Sequence, residues 1–289
     1  MSETTRAALW MIGAICSFTL MAISGRQLGG EYDTFEIMMY RSALGVIIVL
    51  AVAARVGTIG QINRDAFGLQ IVRNIVHFTG QNLWFFALTM VPLAQLFAFE
   101  FTTPLWVIIL SPLLLGERLT GVKALAAMMG FVGILIVARP TVEGVNIGML
   151  AAAGCAVFFA LTFITTKKLT SRQTITGIMF YLTVIQLILG LICAGYDGDI
   201  RLPTAAASPY LLVIAICGLV AHFCIAKALS LAPATIVAPI DFVRLPVIAI
   251  IGMVLYNEAL DIWVFVGALI IFGGNYLNIW SENRKTSAA

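Results

Sequence analysis

The chain repeats itself at a fixed offset. Adding 141 to a position in the first half often returns a like residue: Leu28 and Leu169, Met38 and Met179, Tyr40 and Tyr181, Pro92 and Pro233, Phe101 and Phe242, Glu117 and Glu258, Gly133 and Gly274. The offset runs without a gap from the first apolar stretch to the last. It includes an acidic pair, Glu100 and Asp241, inside apolar runs. Each copy holds five apolar runs, and an odd-span unit used twice must enter a bilayer the second time upside down. Inverted repeats of this kind are a device of secondary transporters. The expected organisation is therefore all-α, with ten transmembrane helices as two inverted five-helix repeats, residues 1–141 and 142–289.

The ten runs are 7–28, 34–54, 68–89, 94–115, 122–138, 146–167, 174–194, 209–230, 235–255 and 262–280. Each approaches the ~20 apolar residues that cross a hydrocarbon core. A mean hydropathy of +1.02 with 11% charged residues excludes an ordinary soluble domain. A β-barrel is excluded because runs such as Ile47-Ile48-Val49-Leu50 do not alternate at period two. The first run aligns with the run 146–167, so it reads as a permanent span and not as a leader. With the N-terminus inside, ten Lys and Arg lie on the cytoplasmic side and three on the opposite side, which predicts both termini in the cytoplasm of an inner (plasma) membrane protein. The net charge of +3 then reports topology, not a nucleic-acid partner.

Spans 4 and 9 carry prolines, Pro104 and Pro112 in one and Pro239 and Pro246 in the other. A mid-helix proline frees a backbone carbonyl about one turn back. In lipid that carbonyl needs a partner or a polar cavity. Interrupted helices at corresponding places in two halves point to a binding site, with Pro104, Pro239 and Pro246 as the helix breaks; a plain packing kink is the alternative. Spans 5 and 10 are rich in Gly and Ala and carry no internal charge. They read as close-packing elements and as a face for a homodimer. The five cysteines lie in apolar runs without metal-ligand spacing, so no metal and no cofactor is expected.

Charge inside hydrocarbon costs at least ~2.5 kcal/mol, so every intramembrane polar residue is a candidate for function. Treating each span as a straight rod rising ~1.5 Å per residue sorts them by depth. Arg41, Gln81, Asn82 and Glu100 form an outer group, with Arg41 as the ion-pair partner of Glu100. Arg73, His222, Asp241 and Arg244 form an inner group, and His77 lies near the midplane. Glu100 and Asp241 come out ~12 Å apart in depth. Arg73, His77 and Gln81 follow an i, i+4, i+8 spacing on one face of span 3. The functional reading is a polar cavity between the halves in which Glu100, Asp241, Arg73, His77, Gln81, Asn82, His222 and Arg244 bind solute or protons. The structural reading is a set of ion pairs that lock helices together.

The segment Pro104–Glu117 (PLWVIILSPLLLGE) and its counterpart Pro246–Glu258 (PVIAIIGMVLYNE) resemble the EamA-type branch of the drug/metabolite transporter superfamily. Asn257 stands where the first half has Gly116. The resemblance covers essentially the whole chain. It implies a multi-pass inner-membrane carrier, not an enzyme, with its cavity lined mainly by spans 1, 3, 4, 6, 8 and 9. Members export amino acids and other metabolites, and some import vitamins such as riboflavin. The expected activity is thus secondary transport of a small polar metabolite, first as amino-acid export. Import of an aromatic cofactor such as riboflavin is the alternative, motivated by the Phe and Trp around Glu100. A lipid flippase and an intramembrane enzyme are the readings from other classes. Partners are the small-molecule solute and membrane lipid.

Overall fold

The computed structural model describes residues 2–28, 30–116, 120–138, 146–196 and 198–258, with scattered positions between 262 and 281. Span 10 is described only in part, and Glu117 and most of the loop between spans 5 and 6 lie outside the described residues. The described residues are helical. Helix α1 covers Glu3–Gln27, α2 Thr34–Val56, α3 Phe67–Met90, α4 Leu93–Glu100, α5 Thr103–Leu115, α6 Gly121–Ala138, α7 Ile147–Thr170, α8 Ile175–Ala194, α9 Ser208–Leu231, α10 Ala234–Ile240 and α11 Arg244–Tyr256. Among the described residues six segments are long and apolar enough to cross a membrane, one of them the broken stretch Leu93–Leu115.

Local chemistry sets the helix ends. Asp33 and Glu36 form a capping box at α2: the Glu36 amide donates to Asp33 Oδ1 at 2.7 Å, and the Asp33 amide donates to Glu36 Oε2 at 2.9 Å. Asn146 caps α7 through the Met149 amide at 2.9 Å. Gly116 and Asn257, repeat mates, both end their helices in the left-handed region, at φ 69° and φ 53°. Asparagine tolerates that conformation better than most side chains, which explains why it can replace the glycine.

The two halves pack through corresponding helices. The most extensive contacts are α1 with α9, α3 with α7 and α2 with α8. The offset of 141 exchanges the first two pairs and returns the third to itself. Hydrogen bonds repeat the pattern. Tyr40 Oη donates to the Arg201 carbonyl at 2.6 Å, and its mate Tyr181 donates to the Asn63 carbonyl at 2.9 Å. Tyr32 Oη donates to Leu202 O at 3.1 Å, and its mate Gln173 donates to the Asp65 carbonyl. The first set joins the loop before α2 to the segment before α9. The second joins the loop after α2 to the start of α8. Mates therefore sit at opposite ends of α2.

The interior is a chain of apolar clusters. One runs from Met21 and Leu28 through Trp84, Phe97 and Phe101 to Leu245, another from Met11 through Ala160 and Ala228 to Val237. Small residues permit the close approaches. At Gly190 a Cβ would lie 3.0 Å from the backbone nitrogen and Cα of Met39, so α8 and α2 approach backbone to backbone. At Gly274 it would lie 2.9 Å from the Ala126 carbonyl, which sets residues of spans 5 and 10 against each other within one chain. Large apolar side chains such as Ile47, Leu113, Met128, Ile192 and Val254 face outward, as a lipid-facing surface requires.

Candidate functional site

Spans 4 and 9 are each broken, and the breaks fall at the repeat-mate carboxylates. Helix α4 ends on Glu100 and α5 starts at Thr103. Helix α10 ends on Ile240, a 3-10 turn covers Asp241–Val243, and α11 starts at Arg244. The prolines themselves are not mates. Pro104 sits in the first turn of α5, where its missing N–H costs nothing. It deprives the Glu100 carbonyl of its ordinary helical donor. Pro246 is the third residue of α11, also within its first turn, and Pro239 lies within the backbone of α10, its side chain outside the described residues.

At the breaks one cation serves two acids. Arg244 Nη2 lies 2.5 Å from Glu100 Oε1 and 2.6 Å from Asp241 Oδ2. Trp84 Nε1 donates to the other Glu100 oxygen at 2.6 Å. The guanidinium is 1% exposed and rests over Phe97, Phe18 and Phe101 at 4.8, 5.0 and 5.4 Å from their ring centres. A charge so buried persists only when paired, and the two carboxylates with the three ring faces provide that.

This triad forms one wall of a cavity with about 760 Å³ of atom-free space, mouth included. His77, Gln81, Trp84 and Phe85 enter from α3, Phe159, Thr162, Phe163 and Thr166 from α7, and Phe18 and His222 from α1 and α9. The rings of His77 and His222 meet edge to face at 4.4 Å. Several polar atoms here are buried with no partner within the protein: Gln81 Oε1, both ring nitrogens of His77, His222 Nε2, Asp241 Oδ1 and Arg244 Nε. Orphaned polar atoms are rare in protein interiors, and here they converge on one apolar space.

Of the residues singled out from the sequence, Glu100, Asp241, Arg244, His77, Gln81, His222 and Pro104 line this cavity. The division into an outer and an inner group does not survive. Glu100 and Asp241 contact the same nitrogen, so their bonded oxygens lie within about 5 Å of each other. The ~12 Å estimate assumed straight rods. Both helices break at the carboxylates, and the rod geometry ends there.

Arg41 does not pair with Glu100. It is 6% exposed between α2 and α9, and its hydrogen-bonding contact is with Met38 Sδ at 3.7 Å. Equal depth on two rods says nothing about which way each side chain points. Arg73 stands behind the cavity wall, donating to Thr166 Oγ1 at 2.9 Å and Asn74 Oδ1 at 3.3 Å. Asn82 turns back to the Phe78 carbonyl and does not line the cavity. Glu258, just past the end of α11, is a structural partner: Oε1 pairs with Arg26 at 3.1 Å and accepts from the Leu93 amide at the start of α4.

Sequence reading missed Phe18, Thr162, Thr166 and the role of Trp84. The signal for two of them was available. Phe159, Thr162, Phe163 and Thr166 follow an i, i+3, i+4, i+7 spacing, a single helical face carrying hydroxyls in an otherwise apolar span.

Comparison with known proteins bears on the family and the fold. The model of the EamA-like transporter family matches residues 5–139 and 146–280. The chain is 25% identical over 278 residues to the S-adenosylmethionine uptake transporter of Rickettsia bellii, covering 96% of this chain and 94% of the relative. It is 28% identical over 288 residues to the riboflavin transporter of Vibrio cholerae, at 97% and 95% coverage. With the riboflavin transporter of Brucella anthropi it shares 29% over 283 residues, at 96% and 99% coverage. A solved crystal structure superposes with a TM-score of 0.79 at 17% identity over 97% of this chain and 98% of the other, which supports the fold alone.

Proposed function

The chain belongs to the EamA-like transporter family, and on that premise we propose that it carries a small polar metabolite bearing a flat heteroaromatic group. Transport is secondary and works by alternating access around the cavity between the halves. The observation that carries the reading is the meeting, at two helix breaks, of the Glu100–Arg244–Asp241 triad, aromatic walls and unpartnered polar atoms. Aromatic faces bind flat rings by stacking, and the orphaned donors and acceptors read the ring's polar edge. S-adenosylmethionine and riboflavin, the solutes in the relatives' names, each join a nitrogen heterocycle to a polar chain.

In this reading the repeats are residues 1–141 and 142–289, ten spans in all, inverted, in the inner membrane with both termini in the cytoplasm. The mate hydrogen bonds at opposite ends of α2 support the inversion. A homodimer docks through the outward row Leu125, Met128, Val132 and Leu135 of α6, since Gly274 is already used within the chain. Glu100, Asp241, Arg244, His77, Gln81 and His222 bind solute or protons, Arg73 positions Thr166, and the breaks near Pro104, Pro239 and Pro246 serve as hinges.

The test is radiolabelled flux into proteoliposomes, with and without a pH gradient, for riboflavin, S-adenosylmethionine and a panel of amino acids. Saturable flux of a heterocyclic solute, competed by other flat heterocycles, supports the proposal. Flux of amino acids alone restores amino-acid export as the better reading and overturns this one.

A further inference from the structure

Beside the main cavity lies a second, smaller space that the transport reading does not use. It is lined by Arg41 and Ser42 of α2, Leu182, Thr183 and Gln186 of α8, and Leu219 of α9, with about 220 Å³ between atoms, mouth included. Arg41 reaches it by crossing the α9 backbone at Gly218. A Cβ there would lie 2.4 Å from Arg41 Nε and 2.7 Å from Nη2, so α9 accommodates the guanidinium by carrying no side chain at this point.

The charge around this space is unbalanced. Among the described residues neither Arg41 nor Arg73 forms an ion pair, although they are 6% and 1% exposed. The surrounding helices offer little to neutralise them. Helix α8 carries no charged residue, α9 carries only Lys227, α3 only Arg73, and α7 only Lys167 and Lys168. The sole acid on α2, Glu36, is committed to its capping box and to the Arg201 amide. Glu100 and Asp241 are both committed to Arg244. The two sites are nevertheless linked. Gln186 Nε2 donates to the Asn74 carbonyl, Arg73 donates to Asn74 Oδ1 and to Thr166 Oγ1, and Thr166 lines the main cavity. Gln186 Oε1 is buried and without a protein partner. The bond from Nε2 to the Asn74 carbonyl fixes the amide orientation, so Gln186 bounds the space and is not a donor to it.

We infer that the space beside Arg41 binds a small inorganic monovalent anion of the size and chemistry of chloride. Arg41 supplies the charge and Ser42 the hydroxyl donor; Thr183, whose hydroxyl donates to the Met179 and Phe180 carbonyls, and Gln186 close the far side. An isolated buried guanidinium demands a counter-charge, and among the described residues no side chain near it supplies one. The limited space favours a halide over a phosphate ester or an organic solute. The inference stands independently of which solute the main cavity carries.

The experiment uses the purified full-length chain in detergent, comparing sodium chloride, sodium bromide and sodium gluconate at equal ionic strength. Thermal unfolding is followed by tryptophan fluorescence. A ligand that binds only the folded state raises the midpoint as its concentration passes the dissociation constant, here by a few degrees. Chloride and bromide are expected to give a saturable rise that gluconate does not. Arg41→Gln is expected to abolish it, and Ser42→Ala to raise the half-saturating chloride concentration several-fold. If Arg41→Gln does not fold, Ser42→Ala decides alone, and unchanged half-saturation overturns the site. Equal midpoints in chloride and gluconate for the native chain also overturn it. In Glu100→Gln the chloride rise is expected to persist; its loss there would move the anion to the main cavity and refute the assignment.

Discussion

Arg244 is the residue on which the site's integrity most depends. Replacing it by methionine keeps much of its volume and removes its charge. Glu100 and Asp241 then face each other with bonded oxygens about 5 Å apart and no cation between them. At an effective dielectric of ~20, two unit charges at that distance repel by about 3 kcal/mol. Removing one partner of a buried ion pair costs ~3–5 kcal/mol in general, so both estimates agree. The loss of the three aromatic faces under the guanidinium adds to it. Unfolding of Arg244→Met by increasing sodium dodecyl sulfate in mixed micelles, followed by tryptophan fluorescence, should therefore show a loss of roughly 3–5 kcal/mol. Trp84, bonded to Glu100, is an internal reporter of the local change. The triple variant Arg244→Met with Glu100→Gln and Asp241→Asn removes all three charges. Its new carboxamide on α4 can still accept from Trp84 through the amide oxygen, so the triple variant should recover most of the loss. A loss under ~1 kcal/mol, or a triple variant no more stable than the single one, would refute the reasoning that the three groups form one buried electrostatic unit.

Glu100→Gln and Asp241→Asn, taken singly, should abolish gradient-driven flux while protein still reaches the membrane; unchanged flux in both would reduce the carboxylates to a structural role. Gly190→Ala should cost about 1–3 kcal/mol in the same unfolding titration, because its Cβ would press on the Met39 backbone, which cannot rotate away. An unchanged midpoint there would mean that α2 and α8 have slack the structure does not show.

Much of this molecule was legible in its residues because hydrophobic patterning and duplication are local, additive signals. The offset of 141 anticipated the mate hydrogen bonds of Tyr40 and Tyr181. The capping residues at Asp33 and Asn146 did what their types predict. The prolines located the interruptions of spans 4 and 9 to within a turn, and the intramembrane acids, histidines and Arg244 were recognisable as costly enough to matter. What the residues could not convey was direction around each helix axis and the course of the chain past a break. Glu100 and Asp241 looked far apart on straight rods and proved to share one nitrogen. Arg41 looked level with Glu100 and points instead across Gly218 into a separate space. Periodicity along one helix determines which residues share a face. Only the packing of helices from both halves decides what that face meets, because those contacts join residues more than a hundred positions apart.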